Sequence, residues 1–585
     1  MKKIITWLTG RTGLDVAISS ALTEPVPGGA RWQYVFGSVL TFLFMQQVVL
    51  GILLAFYYSP SASQAWASTA YMNDQVAAGW FLRGLHHNGS SAMVIVVVLH
   101  LLQVVWAGAY RAPREVNWWT GLAMGGLVLA FALTGYLLPW DQKGYWATQV
   151  ATGIMGSLPG GDPLKQVIQG GPEYGSLTIT RFFSLHVFVL PLVLGGLLAA
   201  HIALFRRHGV TPPANLNDAE LKRKTQPFWP NQLFLDVAAM AICAAVMIVM
   251  TFRTHGAELF APADPASNFV ARPEWYFLFL YQLLKYFEGP LQIVATVLLP
   301  GAVAVTLFAF PWVDRATSRR PSARWPALMV VGGLMAAVTA LTALALVEDA
   351  HNESYQKGLK LAEEESTRAR KLALEGVPPA GGIAVFDNDP KEKARKLFKE
   401  HCSTCHTIEG RGGQEAPSFD DYNSRDWLTA LIRDPHSKRF FGGTKGHKDM
   451  KAVPAVASAV TEATAGAAVP DDQLRAVVEY VLSLEGPDAG PTDAAMVAKG
   501  KALWNGTVEC TSCHEVEAGK SDTGPTLAGR GTVAWITRII RNSSEEDLFG
   551  DTAEMPKFAD KLKPEEIKAL AEFIFSQRGV KPAAP

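Results

Sequence analysis

Cysteine is scarce in this chain, and neither sign of charge prevails. Only 5 of the 585 residues are cysteine, and 53 lysines and arginines balance 53 aspartates and glutamates. A formal net charge of zero gives no sign of the basic surface that nucleic-acid binding requires, so we expect no nucleic-acid partner. An A-x-A-like cleavage site is also lacking after the short basic start, and Arg11 interrupts the apolar stretch there. We therefore expect no cleaved signal peptide, and expect the first apolar span to direct insertion.

Long hydrophobic runs, in contrast, are frequent before Glu348 and scarce after it. Seven of them are long enough to cross a bilayer, at about 33–57, 91–108, 118–139, 182–205, 233–252, 291–312 and 326–347. A chain of 585 residues also exceeds what one core normally supports. The sequence therefore predicts an all-α membrane half with seven spans, followed by a soluble half.

The basic residues of the connections predict how the spans are oriented. They follow the second, fourth and sixth spans: Arg111, Arg114, Arg206, Arg207, Lys222, Arg223, Lys224, Arg315, Arg319, Arg320 and Arg324. Because positively charged loops stay in the cytoplasm, these loops and the N-terminus are expected there. An odd number of spans then puts the C-terminal half outside, which for the inner membrane of a bacterium is the periplasmic side.

Histidines occur in matching register in two of the apolar runs. His86 and His100 lie 14 residues apart in one, and His186 and His201 lie 15 apart in the other. On an α-helix these gaps place both histidines of a run near one face, about 21 Å apart along the axis. A histidine inside a membrane is costly and usually has a partner, so two such helices side by side form two His–His pairs suited to haem iron. The alternative is a set of core histidines bonded to neighbours; His87 has no counterpart and stays outside the ligand set.

Gly37 and Gly51 in the first span repeat the spacing of 14 residues. Glycine lets a flat macrocycle lie against the helix backbone, so both are candidate haem-contact positions. Ordinary close packing of helices explains glycine there equally well.

Two pentapeptides in the soluble half contain four of the five cysteines. They are C-S-T-C-H at 402–406 and C-T-S-C-H at 510–514. In a C-x-x-C-H motif the two thiols form thioethers with a haem and the histidine ligates its iron, so covalent haem c is expected at both. The candidate residues are Cys402, Cys405, His406, Cys510, Cys513 and His514. A reducible disulfide or a zinc-binding pair is the alternative.

A methionine is expected as the sixth iron ligand roughly 40 residues after each motif, in a loop, where it raises the redox potential. Met555, in M-P-K-F, fits the second module. Met450 is the candidate in the first module, although three residues separate it from the next proline, and His447 is a rival ligand.

The two modules also repeat one another outside the haem motifs. A-R-K-L-F precedes the first motif where G-K-A-L-W precedes the second, and both modules close on an amphipathic helix, near 471 and 563. We therefore expect two small α-helical domains, each binding one haem c.

The histidine-bearing spans, together with three short motifs, resemble cytochrome b of the quinol-oxidising cytochrome bc complexes. The motifs are L-P-W-D-Q at 138–142, Y-W-A-T at 145–148 and P-E-W-Y at 273–276. The resemblance covers about residues 30–348. It implies that His86 and His186 hold a low-potential haem b near the outer face. It likewise implies that His100 and His201 hold a high-potential haem b near the cytoplasmic face.

The resemblance also implies a quinol-oxidising site with Glu274 as its catalytic base. Quinol oxidation releases protons, and a carboxylate in a partly apolar pocket at the membrane edge suits their acceptance. Tyr136 and Tyr276 are expected to line this pocket. Arg83 and Arg181 are expected to pair with haem propionates, with solvated span-end arginines as an equal alternative.

On the opposite face, Arg206 and Asp236 match positions that resemble the quinone-reduction site of the same family. Charges at the ends of spans are the alternative reading of both residues. The whole chain is then expected to divide into six parts: 1–31, an interfacial segment; 32–225, the four-helix haem-binding domain of cytochrome b; 226–348, its three-helix C-terminal domain; 349–390, a helical spacer and linker; and 391–488 and 489–585, the two cytochrome c domains.

These features imply the core subunit of a respiratory or photosynthetic quinol:cytochrome c oxidoreductase that bifurcates electrons and translocates protons. No C-x-H…C-x-x-H pattern occurs in the sequence, so the Rieske iron–sulfur protein is expected to be a separate chain. The resemblance further implies a homodimeric complex and a soluble cytochrome or terminal oxidase as electron acceptor. One rival is a linear conduit that passes both quinol electrons to the c haems; another is a membrane-anchored electron carrier or redox sensor.

Overall fold

The computed structural model describes residues 7–580, apart from 8, 157, 159, 268, 288, 409, 445–448, 456–467, 521 and 522. The chain divides into two compact units, Met1–Phe386 and Asp387–Pro585. The helices of the first unit are α1 (Leu14–Leu22), α2 (Phe36–Ala55), α3 (Ala65–Asp74), α4 (Gly79–Ala107), α5 (Glu115–Leu137), α6 (Gln142–Gly156), α7 (Gly161–Gln169), α8 (Ser176–Ser184), α9 (Leu190–His208), α10 (Asp218–Lys224), α11 (Leu233–Arg253), α12 (Leu278–Leu284), α13 (Leu299–Val313), α14 (Trp325–His351) and α15 (Glu353–Leu374). Two short strands, β1 (Pro25–Val26) and β2 (Gln226–Pro227), pair antiparallel and join the N-terminal segment to the segment after the fourth span.

Seven helical spans among the described residues are long and apolar enough to cross a membrane, which confirms the predicted all-α fold of seven spans. They are Phe36–Ala55, Gly79–Ala107, Glu115–Leu137, Ser176–His208, Phe228–Arg253, Val294–Val313 and Pro321–His351. The second span begins at Gly79 rather than at 91. Hydropathy detects only the apolar part of this helix. The turns that carry Arg83 and His86 are polar but remain helical, because the backbone hydrogen bonds of a helix are made within the helix and do not depend on its side chains.

Four spans form a core around the histidines. α2 packs against α4, α5 packs against α9, and α4 and α5 are also in contact. α11 covers α2 and α4, and the buried side chains of Leu43, Val96 and Met247 fill the space between these three helices. The two histidine-bearing spans therefore belong to one four-helix bundle.

The charged segment after the last span, predicted as a spacer and linker, is largely helical and packed. α15 lies against α3, where Trp66 packs with Leu372. Arg370 and Asp74 form an ion pair across the same contact. This segment therefore contributes to the core of the first unit.

The second unit contains α16 (Pro390–His401), α17 (Arg425–Arg433), α18 (Asp471–Ser483), α19 (Ala494–Asn505), α20 (Val533–Arg541) and α21 (Pro564–Phe575). Two short strands, β3 (Thr407–Ile408) and β4 (Arg411–Gly412), form a hairpin after the first C-x-x-C-H motif. One hydrophobic core runs through both modules and includes Trp427 from the first and Ile540 from the second. The two modules thus form one compact body.

Each module of this unit packs its terminal helices against those of the other. α16, the first helix of the first module, lies against α21, the last helix of the second. α18, the last helix of the first module, lies against α19, the first helix of the second. The rings of Phe398 and Phe573 meet with centroids 6.1 Å apart at one contact, and those of Tyr480 and Trp504 meet at 5.8 Å at the other. The modules therefore exchange terminal helices, an arrangement familiar from domain swapping.

A buried polar network also joins the two modules. The Glu485 carboxylate, in the first module, accepts hydrogen bonds from Asn423 and, at 2.7 Å, from Arg578 of the second module. Arg530 of the second module donates to Asn423. A buried charge that lacks its partner is strongly destabilising, so this network favours the joined state of the modules.

Candidate functional site

The first histidine pair, His86 of α4 and His186 of the fourth span, lies inside the four-helix core. The ring centroids are 6.3 Å apart and the ring planes are inclined by 70°. Two metal–nitrogen bonds of about 2 Å each fit between rings at this spacing. The Nδ1 atom of His86 is buried and has no hydrogen-bond partner among the described residues. The spacing of the two rings fits a metal centre held between the two imidazoles.

A π turn explains the different histidine spacing of the two runs. Leu185–Val189 forms a π turn between α8 and α9, and His186 lies in it. A π turn takes in one extra residue, so 15 residues across it cover the rotation of about 14 residues of α-helix. His186 and His201 therefore return to one face, in the same relation as His86 and His100.

The third span orients one histidine of each pair through a threonine. The Thr134 hydroxyl lies 3.0 Å from Nδ1 of His186, and the Thr120 hydroxyl lies 2.9 Å from Nδ1 of His201. A hydrogen bond at Nδ1 fixes the ring and leaves Nε2 available to a metal. His100, the partner expected for His201, has a buried Nδ1 without a hydrogen-bond partner among the described residues.

A glycine faces each of the four histidines. A Cβ built at the glycine would come within 4 Å of the histidine Cε1 in every case: Gly37 with His100, Gly51 with His86, Gly121 with His201, and Gly135 with His186. The contact of Gly135 is the tightest, at 2.6 Å. Glycine therefore lets the imidazoles lie directly against the helix backbone.

The sequence predicts Gly37 and Gly51 at such positions but misses their counterparts in the third span. These are the dipeptides Thr120-Gly121 and Thr134-Gly135, in which threonine bonds the histidine and glycine makes room for it. The signal that could have found them is the pair T-G, repeated after 14 residues within one span.

A cavity of about 310 Å³ lies beside the first histidine pair. Its walls include both histidines of the pair and the three residues predicted for a quinol pocket, Glu274, Tyr136 and Tyr276. Burial raises the pKa of Tyr276 above its ordinary value, so its hydroxyl keeps its proton. One continuous space therefore contains a carboxylate, two phenol groups and the first histidine pair.

Glu274 is held by an ion pair and by the loop that carries it. Its Oε1 lies 2.8 Å from Nζ of Lys143, and its side chain is 12% exposed. Two residues earlier, Arg272 donates to both carboxylate oxygens of Asp349 at 2.9–3.0 Å and stacks on the ring of Tyr355 at 4.3 Å. A bidentate pair of this kind has a defined geometry, so it fixes the P-E-W-Y loop against the end of the last span.

Arg83 and Arg181 bond backbone carbonyls in the structure. Arg83 lines the cavity and donates to the carbonyl oxygens of Ala257 at 3.0 Å and Glu258 at 2.7 Å. Arg181 is exposed and donates to the carbonyl oxygen of Val167 at 2.7 Å. Arg83 therefore stabilises a loop and Arg181 the last turn of α7, and their role toward haem propionates stays a prediction.

Asp236 and Arg206, predicted for the quinone-reduction site, differ in environment. Asp236 is buried and accepts hydrogen bonds from the Ser38 hydroxyl and the Gln232 amide, both at 2.8 Å. Arg206 is exposed near the end of α9, and within the described part of the chain no ion pair joins it to Asp236. The quinone-reduction site therefore stays a prediction.

The histidines of the two C-x-x-C-H motifs are oriented alike. Nδ1 of His406 lies 2.8 Å from the carbonyl oxygen of Pro417, and Nδ1 of His514 lies 3.0 Å from that of Pro525. A proton on Nδ1 makes this hydrogen bond and leaves Nε2 as the ligand atom. Burial lowers the pKa of both imidazoles, which keeps Nε2 unprotonated.

All five cysteines lie in the described residues and are free thiols. Burial raises the pKa of Cys402 and of Cys510 to about 12. Among the residues whose placement is given, no group of three or more His, Cys, Asp and Glu side chains could hold a metal ion. Paired thiols beside an oriented histidine fit covalent attachment of haem c, which stays a prediction.

The candidate methionine ligands lie in loops of the second unit. Met555 is half-buried against the shared core, and its carbonyl oxygen accepts a hydrogen bond from Ser543 at 2.9 Å. Met450 is also half-buried. Its rival, His447, lies outside the described residues. The sixth ligands of both modules stay predictions.

Four half-buried histidines, each facing a glycine in a helical membrane core and followed by two C-x-x-C-H modules, are typical of a haem-binding electron-transfer protein of the membrane. Comparison with known families agrees. Residues 91–266 match the family described as Cytochrome b(N-terminal)/b6/petB, and 262–356 match Cytochrome b(C-terminal)/b6/petD. Residues 391–485 match Cytochrome c, and 495–574 match Cytochrome C oxidase, cbb3-type, subunit III.

Individual relatives point to the same family. Cytochrome b of Rhodobacter capsulatus is 32% identical over 340 residues, which are 54% of this chain and 77% of the relative. The cytochrome bc complex cytochrome b subunit of Chlorobaculum thiosulfatiphilum is 36% identical over 291 residues, 49% of this chain and 67% of the relative. A solved structure titled hyperthermophilic respiratory Complex III covers 66% of this chain and 99% of its own, with a TM-score of 0.51 and 25% identity.

The chain belongs to the cytochrome b family and carries cytochrome c domains at its C-terminus, which confirms the predicted fusion. It is the cytochrome b of a bc-type quinol oxidoreductase complex, and hence a subunit of an oxidoreductase. The cytochrome b and cytochrome c families imply haem b and haem c as its cofactors.

Proposed function

We propose that this chain oxidises quinol in the cavity beside the first histidine pair and sends the two electrons along different routes. One electron passes along the two histidine pairs to a quinone at the opposite face. The other passes through a separate Rieske iron–sulfur protein to the c modules. The observation that carries the proposal is that Glu274 and the first histidine pair line one cavity.

The cofactor positions are assigned to the histidines that face glycines and to the paired thiols. His86 with His186, and His100 with His201, would each hold one haem b, and each C-x-x-C-H motif would hold one haem c. When bound, haem iron supplies a one-electron carrier at each of these positions. The 6.3 Å ring spacing of His86 and His186, the glycine that faces each of the four histidines and the free thiols of the motifs support this assignment.

Glu274 is assigned the role of proton acceptor for quinol. Its carboxylate lines the cavity and can take the proton that a quinol hydroxyl loses, because general bases act at hydrogen-bond distance. The hydroxyls of Tyr136 and Tyr276 lie in the same walls and can hydrogen-bond the ring oxygens of quinol. The three side chains together orient the quinol and remove its proton.

Protons are released outside and taken up inside in this proposal. The positive charges after the second, fourth and sixth spans support a cytoplasmic N-terminus and periplasmic c modules in a bacterial inner membrane. Arg206 and the buried Asp236 are the candidates for the quinone-reduction site. A soluble cytochrome or a terminal oxidase would receive the electrons, and the complex would be a homodimer.

Oxidant-induced reduction tests the division of electrons. The purified complex is given quinol, the quinone-reduction site is inhibited, an oxidant is pulsed, and the b and c haems are followed by their separate absorbance bands. If the b haems become more reduced while the c haems are oxidised, the two electrons take different routes. If both haem types are oxidised together, the chain is a linear conduit and the proposal is wrong.

A variant of the proposed base provides the second test. Glu274→Gln removes the proton acceptor but keeps the size of the side chain, so we expect quinol turnover to fall by about 100-fold or more. The haem spectra should remain those of the unchanged protein, because Glu274 is not among the haem ligands. Full turnover in this variant would exclude Glu274 as the base.

A further inference from the structure

Lys143 lies between two carboxylates at the edge of the quinol cavity. Its Nζ is 2.8 Å from Oε1 of Glu274 and 3.6 Å from Oε2 of Glu258. The side chain of Glu274 is 12% exposed, that of Lys143 is 22% exposed, and that of Glu258 is 75% exposed. The three groups thus form a row that leads from the cavity wall to solvent.

The backbones that carry Lys143 and Glu258 are joined to one another. Asp141 accepts from the backbone N–H of Gly144 at 2.8 Å and from that of Phe260 at 3.0 Å, so it joins the first turn of α6 to the loop after Glu258. The N–H of Gln142 also donates to the carbonyl oxygen of Ala261 at 2.9 Å. A change of partner by Lys143 therefore needs only movement of side chains.

The position of Lys143 in its helix does not favour a positive charge. Lys143 lies in the first turn of α6, where the helix dipole disfavours positive charge. The groups that act on its charge are Glu274, Glu258, Asp141, His87 and Tyr355. Burial lowers the pKa of Lys143, but the attraction of Glu274 and Glu258 outweighs it and raises the pKa overall. The ammonium group therefore keeps its charge at neutral pH.

We propose that Lys143 is a positioning residue of the quinol site, which holds the Glu274 carboxylate in place for each quinol and turns to Glu258 once Glu274 has taken up the proton. This inference rests on the proposed role of Glu274. The proton moves from a quinol hydroxyl oxygen to the Glu274 carboxylate, which becomes neutral and loses its attraction for Lys143. Glu258 is then the nearest remaining carboxylate, so the released side chain opens the cavity toward solvent.

Steady-state kinetics of the complete complex test this role, with a short-chain quinol as donor and a soluble c-type cytochrome as acceptor. We expect Lys143→Gln to lower kcat by about tenfold while KM changes less, because the substrate still binds but its proton acceptor is misplaced. Lys143→Arg should restore kcat, since it keeps the charge. In the Glu274→Gln background, Lys143→Gln should cause no further loss of kcat, because Lys143 acts only by positioning the Glu274 carboxylate, which that variant lacks.

Lys285→Gln is the matched control. Lys285 also lies 2.8 Å from a carboxylate, that of Glu348, but neither residue lines the cavity. Unchanged haem b absorbance in every variant shows that the protein is intact. Glu258→Gln, at an exposed position that tolerates substitution, should lower kcat with KM unchanged, because the released lysine then lacks its second partner.

Three results would overturn the inference. The first is full activity of Lys143→Gln, and the second is full activity of Glu258→Gln. The third is a double variant whose kcat falls by the product of the two single losses of Lys143→Gln and Glu274→Gln. A separate result distinguishes the larger proposal: if Glu274→Gln itself keeps full turnover, the proposed base is wrong, whereas an impaired Glu274→Gln beside an active Lys143→Gln contradicts only the role of Lys143.

Discussion

Replacement of Gly135 by alanine is expected to empty the first histidine pair of haem b. The new Cβ would lie 2.6 Å from Cε1 and 3.3 Å from both ring nitrogens of His186. Carbon atoms in contact stay about 3.5 Å apart or more, so the imidazole must retreat by about 0.9 Å. Metal–ligand distances tolerate only about 0.2 Å. The ring therefore cannot keep its ligand position unless the third span moves with it, which costs about 1–3 kcal/mol in a packed core.

The other three glycines provide a graded comparison. A Cβ at Gly51 would lie 3.3 Å from His86, one at Gly121 would lie 3.4 Å from His201, and one at Gly37 would lie 3.7 Å from His100. The first two contacts are tight and the last is an ordinary van der Waals distance. We expect alanine to cause the largest loss of haem b at Gly135, smaller losses at Gly51 and Gly121, and almost none at Gly37.

Haem b per protein is the quantity to measure, from the absorbance of haem extracted after purification. Haem c, which we propose is covalently bound to the second unit, serves as the internal standard in each preparation. Two results would refute the reasoning: a Gly135→Ala variant with its full content of haem b, or a Gly37→Ala variant that loses as much as Gly135→Ala.

Three further predictions concern other contacts. Thr134→Val removes the hydrogen bond to Nδ1 of His186 and should weaken haem b binding by about 10–100-fold, measured by haem titration; unchanged affinity would show that the bond does not orient the ring. Asp349→Asn weakens the bidentate pair with Arg272 and should lower quinol turnover at normal haem content, whereas normal turnover would mean that the P-E-W-Y loop is held otherwise. A chain truncated after residue 488 lacks α21 and α19, the helices that α16 and α18 pack against, so its first c module should become protease-sensitive. A protease-resistant module would contradict the exchange of terminal helices between the modules.

The sequence suffices to predict the parts of the fold that depend on composition alone. Seven apolar runs predict seven spans because a continuous run of about 20 apolar residues crosses a membrane as a helix, which satisfies its own backbone. Their ends are predicted less well, and Gly79 is the clearest case: the polar turns around His86 are helical, but hydropathy reads them as loop. The histidine register is visible in the sequence, whereas the π turn at Leu185–Val189 is visible only as one extra residue in the interval.

The exchange of helices between the c modules could not be predicted from the sequence, because packing within a module and packing between modules require the same amphipathic pattern. Phe398 and Trp504 occupy equivalent places in the first helices, and either could pack against the last helix of either module. Amphipathic periodicity decides which face of a helix is buried but not which partner covers it. The ion pair of Lys143 with Glu274 was equally hidden, since 131 residues of sequence separate them and nothing local marks the contact.

The exchanged helices have a consequence for how the gene of this protein can lose one cytochrome c repeat. A genetic crossover between the equivalent helices α17 and α20 would delete one repeat and join the beginning of the first module to the end of the second. The shortened product would retain α16 and α21, which already pack against each other. It would therefore inherit a finished contact between its two ends, so a one-haem and a two-haem protein of this design lie a single recombination apart.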